Sequence, residues 1–116
     1  MDQTAFLEYT AGLSDSQAET MTLIRDLVTS NAPELDESVN DGRWLPGYLF
    51  YTAEGSMIFA LGAKAGNKTA FHMMPYYGSA ALREKYHAAL DPFLKGKSCA
   101  TFANPSQVPV DAIANI

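Results

Sequence analysis

Residues 57–74 read MIFALGAKAGNKTAFHMM, and this stretch decides the fold. Met57, Phe59 and Leu61 alternate with Ile58, Ala60 and Gly62, the period-2 pattern of a strand rather than the 3.6 period of a helix. Lys64-Ala65-Gly66-Asn67 supplies a hairpin turn, and Lys68 to Met74 returns as a second strand until Pro75. Upstream, Trp44 to Thr52 is aromatic-rich and reads as a strand with an irregular start at Pro46-Gly47, joined to the next by the turn Ala53 to Ser56. Three strands linked by short turns make an antiparallel meander, because parallel neighbours need a long crossover.

Outward from the meander the period changes. Met21, Ile24, Leu27 and Val28 recur at helical spacing, and Ser16-Gln17-Ala18-Glu19 fits a capping box for that helix, which should end before Pro33. Thr4 to Gly12 reads as a short helix ahead of it, and Glu34 to Val39 as one further helical turn. Downstream, Ser79 to Leu90 is helical, Ser98 to Ala103 is a fourth strand, and Val108 to Ile116 closes the chain as a helix. The expected order is ααβββαβα: an α+β domain with helices laid on one face of a roughly four-stranded antiparallel sheet.

The chain has 116 residues, 47% hydrophobic and 18% charged, which suits one ordinary globular domain spanning residues 1–116. One cysteine cannot build a disulfide framework. No apolar run reaches the roughly 18–20 residues of a membrane span, and the N-terminus lacks the pattern of a signal peptide, so a cytoplasmic location is expected. Residues 1–41 carry nine acids against Arg25 alone, whereas residues 42–116 carry a net of +3. This balance argues against nucleic acid as a partner, because phosphate binding needs clustered Lys and Arg.

No catalytic motif stands out. Gly96-Lys97-Ser98 has the end of a P-loop, but the pattern needs a glycine where Asp91 stands and a helix after the serine. His72 and His87 are far apart and lack metal-ligand spacing. Cys99 reads as a small buried residue. The unusual feature is the concentration of aromatics around the sheet, on alternating faces. One face meets the helices. The other, if uncovered, offers Trp44, Tyr48, His72, Tyr76 and Tyr77 as a ligand groove or a homodimer surface, with Lys97 contributing charge; an unusually aromatic core is the competing reading. The expected function is therefore a non-enzymatic binding module for an unidentified small molecule or protein.

Several segments together resemble the YdhG-like family of small bacterial domains: FLEYTAGL (6–13), NAPELDE (31–37), GRWLPGYLFY (42–51), MIFALGAKAGNKTAFHMM (57–74), LKGKSCATF (94–102) and PVDAIANI (109–116). The resemblance covers nearly the whole chain and rests on order and spacing. It implies an α+β fold of the kind read above. It also implies an alternative function, since some members are described as frataxin-like iron chaperones for iron–sulfur or haem assembly. The acids Glu34, Asp36, Glu37 and Asp41 then become the expected iron(II) ligands, carboxylates being suited to hard, open sites. A small enzyme without a recognisable motif ranks last.

Overall fold

A computed structural model describes residues 2–95 and 99–115. Its element order is α1 (Gln3–Thr10), α2 (Asp15–Asn31), β1 (Asp36–Val39), β2 (Leu49–Ala53), β3 (Ser56–Lys64), β4 (Lys68–Met73), α3 (Met74–Gly78), α4 (Ala80–Leu90), β5 (Cys99–Phe102) and α5 (Val110–Ala114). The fold is α+β, with all five strands antiparallel in the spatial order β1-β2-β3-β4-β5. The meander is as read from residues 57–74. The expected four strands become five.

The extra strand is β1. Residues 34–39 carry no turn of helix; instead Glu37 lies opposite Tyr51 and Val39 opposite Leu49. Tertiary bonds explain the difference. The Arg25 guanidinium donates to both Glu37 carboxylate oxygens, at 2.9 and 3.0 Å, and the Tyr51 hydroxyl donates to Glu37 Oε2 at 2.6 Å. These bonds hold the segment extended against β2. The strand expected from Trp44 starts only at Leu49, because Leu45 (φ 53°) and Gly47 (φ 82°) are left-handed and cannot continue a ladder. Pro75 does more than stop β4. It occupies the first turn of α3, where its missing N–H costs no hydrogen bond.

The second helix is capped two residues earlier than its Ser-Gln-Ala-Glu run suggests. Ser14 is the N-cap, its side chain accepting from Gln17 N–H while Gln17 Oε1 accepts from Ser14 N–H. Ser16 is thereby freed to donate to the Ala103 carbonyl at 2.8 Å. Gln17 also reaches the sheet. Its Nε2 donates to the carbonyls of Lys64 and Lys68, at 3.0 and 2.9 Å, pinning α2 to the β3–β4 turn.

Strand alternation separates two faces. Leu49, Leu61, Phe71 and Ala100 form one row across the sheet, and with Tyr51, Phe59, Met73 and Phe102 they meet Phe6, Met21, Ile24 and Val28 of α1 and α2. Leu90 of α4 and Ile113 of α5 complete that core. The neighbouring row, Phe50, Ala60, His72 and Cys99, points the other way. None of its side chains joins the cluster that packs against the helices. Helices therefore lie on one face, as expected, and the second face is left to the chain's own loops.

Candidate functional site

The second face has a floor of small residues. Ala60, Gly62 and Ala70 are all buried there, outside the cluster that packs against the helices. What covers the floor is aromatic. A Cβ built on Gly62 would stand 2.5–2.6 Å from three consecutive carbons of the Tyr48 ring. Near-equal distances to adjacent ring atoms put Gly62 under the face of that ring, so the missing side chain is what lets Tyr48 lie flat on the sheet.

The loop between β1 and β2 brings in the other rings. Asn40 organises it. Its Nδ2 donates to the carbonyls of Trp44 and Leu45, at 2.6 and 3.1 Å, and its Oδ1 accepts from Gly42 N–H at 3.1 Å. The left-handed Leu45 and Gly47 then turn the chain back, and the Tyr9 hydroxyl of α1 donates to the Gly47 carbonyl. The result is a fixed platform. Trp44 meets Phe50 at 6.2 Å and His72 at 5.8 Å between ring centroids, both edge-to-face, and Tyr48 meets His72 at 6.1 Å. Such pairs contribute roughly 0.5–1.5 kcal/mol each beyond burial. Trp44 nevertheless keeps 56% of its surface exposed.

Polar groups border the platform. His72 and Cys99 are direct cross-strand partners, and Ala70 faces Thr101 one row away. Burial, then the nearby Lys64 charge, lowers the His72 imidazole below its ordinary range. Burial raises the Cys99 thiol, with Lys64 and the Thr101 hydroxyl opposing. At neutral pH both groups are therefore uncharged, the opposite of the thiolate–imidazolium pair of a cysteine nucleophile. Lys64 and Lys68 form a cross-strand pair at the same end of the sheet.

The expected site residues divide. Trp44, Tyr48 and His72 come together, joined by Phe50, whose facing was visible in the alternation of residues 48–52. Tyr76 and Tyr77 do not join them. Tyr76 is buried in the helical core, and both tyrosines line a separate cleft with Arg83, His87, Asp91 and Leu94. Lys97, with the rest of the Gly96-Lys97-Ser98 turn, lies outside the described residues. Gly62 was readable only as a glycine inside a strand, a sign of close approach by something unnamed.

The four acids expected to hold iron do not converge. Glu37 turns to the helical face, where it is 8% exposed and engaged by Arg25 and Tyr51, whereas Asp36 pairs with Thr52 on the opposite face. Adjacent strand residues point to opposite sides, so Asp36 and Glu37 cannot ligate one ion from this strand. Among the described residues no group of three or more His, Cys, Asp or Glu side chains could hold a metal. Within the Glu34, Asp36, Glu37 and Asp41 set, Glu37 is the ion-pair partner of Arg25.

No protein-family model, curated protein or solved structure matches this chain. No helix among the described residues is long and apolar enough to cross a membrane.

Proposed function

We propose that the chain is a non-enzymatic binding module of the YdhG-like kind, acting in the cytoplasm, whose ligand lies on the Trp44–Tyr48–Phe50–His72 platform. The observation that carries the reading is that Trp44 is held in place by two ring contacts and an Asn40-anchored loop while more than half of it stays exposed. A loop ordered to present a large ring to solvent reduces the entropy lost when that ring is covered. Lys64, close enough to depress His72, adds a positive charge at the border. The ligand class that fits is a planar ring bearing a carboxylate or phosphate: the ring covers Trp44 and the anion meets Lys64.

The test is a two-dimensional NMR titration of the whole chain with aromatic carboxylates and mononucleotides, followed by Trp44 fluorescence. Saturable shifts at the Trp44 indole N–H and at His72, weakened about tenfold or more in Lys64→Gln and Trp44→Ala, support the proposal. Ligands that bind without moving Trp44 or His72, or that bind Trp44→Ala equally well, overturn it.

A further inference from the structure

We propose a second, independent binding site in the cleft between α3, α4 and the turn Asp91–Phe93, built for a small zwitterion that carries both a carboxylate and an amine, such as a free amino acid. The cleft has a volume of about 580 Å3, within the range of small-molecule sites. It is lined by Tyr76, Tyr77, Arg83, His87, Asp91 and Leu94.

Its polar groups are held in place by the fold. Arg83 Nη1 donates to the main-chain carbonyls of Tyr76 and Tyr77, which fixes the guanidinium at the end of α3. A guanidinium tethered through one nitrogen still presents the Nε and Nη2 edge, the planar fork that takes a carboxylate bidentately. Asp91 is fixed too: its Oδ1 accepts from the Tyr76 hydroxyl at 3.3 Å, leaving Oδ2 as an acceptor. The Tyr76 hydroxyl feels both charges. Burial raises it first, Asp91 raises it further, and Arg83 opposes.

Arg83 is thus tethered to the Tyr76 carbonyl and Asp91 to the Tyr76 hydroxyl, yet the two make no ion pair with each other among the described residues. Two tethered opposite charges across a cleft match a ligand whose own charges are opposite and separated. A simple anion would be repelled by Asp91, and a simple cation by Arg83. His87, one turn before Asp91 in α4, offers a further donor, and the half-exposed Tyr77 ring with Leu94 supplies apolar contact for a side chain.

The experiment is an NMR titration of the whole chain with each of the free proteinogenic amino acids, reading the Arg83 Nε–H, the His87 ring and the Tyr77 amide. Saturable shifts at these three places are expected with at least one of them. Binding should weaken about tenfold or more in Arg83→Lys, which keeps the charge but loses the fork, and in Asp91→Asn, which keeps an acceptor for Tyr76. The methyl ester and the N-acetyl form of the same amino acid should each lose binding to a similar extent. Trp44→Ala should leave the affinity unchanged, so this site stands or falls apart from the aromatic platform. Absence of shifts with every amino acid, equal binding of the ester, or undiminished binding by Asp91→Asn would overturn the proposal. Far-UV circular dichroism of each variant confirms that α4 is intact.

Discussion

Replacing Gly62 by alanine tests the geometry of the aromatic platform directly. The added methyl would sit 2.5 Å from Tyr48 Cγ and Cδ1 and 2.6 Å from Cε1, beneath the ring face. Ordinary carbon–carbon contact begins near 3.5 Å, so the ring must rise by about 1 Å or swing away. Tyr48 is not free to rise without consequence, because its ring is edge-to-face with His72 and its backbone N–H bonds the Leu45 carbonyl at 3.2 Å. Overpacking of this kind costs about 1–3 kcal/mol. In a Tyr48→Ala background the clash is absent, and alanine should then be favoured over glycine in a strand by about 0.5–1 kcal/mol through backbone entropy. The same substitution thus changes sign between the two backgrounds, giving a coupling energy of about 1.5–4 kcal/mol. Urea unfolding of the four proteins in the cycle measures it. Equal effects of Gly62→Ala in both backgrounds would refute the placement of Tyr48 over Gly62 and, with it, the platform as described.

Two further outcomes follow from the polar anchors. Burial pushes the Glu37 carboxyl up, but hydrogen bonds from Arg25 and Tyr51 and the Arg25 charge outweigh it, so its net pKa is lowered. A lowered folded-state pKa contributes stability that is present above the unfolded carboxyl value, about 4.3, and is lost as pH falls through the folded value. Urea midpoints measured across that window should fall more steeply for the natural chain than for Glu37→Gln, and Glu37→Ala should cost about 3 kcal/mol at neutral pH by removing the carboxylate from a largely buried ion pair. Asn40→Ala removes the side-chain bonds to Gly42, Trp44 and Leu45; it should cost about 1–2 kcal/mol and lower Trp44 fluorescence anisotropy, with faster hydrogen exchange over residues 41–47.

The meander was legible because residues 57–74 alternate cleanly and are punctuated by turn residues whose left-handed backbone the structure confirms at Gly66 and Asn67. His72 was legible for the same reason: period-2 facing is local, so it could be set opposite Phe71 and Met73 before any strand was paired. β1 was not. Its four residues Asp-Glu-Ser-Val have little strand character, and what extends them is a guanidinium donated from α2, twelve residues earlier. The Ser14 cap was missed because Ser16 and Glu19 offer an equivalent local pattern, and only the Ser16 bond to Ala103 decides between them. The division of the aromatics was also hidden. Tyr76 and Tyr77 follow β4 by a few residues, but α3 begins at Met74 and turns them toward the helical side, a change of direction that strand alternation cannot foresee.

The strand order gives the single tryptophan a kinetic meaning. Every strand pairs with its nearest predecessor, so β1 to β4 can assemble by closing short hairpin loops, each at small entropic cost. Trp44, however, sits in the first of these loops and touches His72 on the last strand of that series. Its emission cannot reach the native value when β2 has met β3 alone; it must wait for β4. A rapid-mixing refolding trace of Trp44 would therefore time the arrival of the fourth strand, while β5, separated from β4 by two helices, could join without altering the signal.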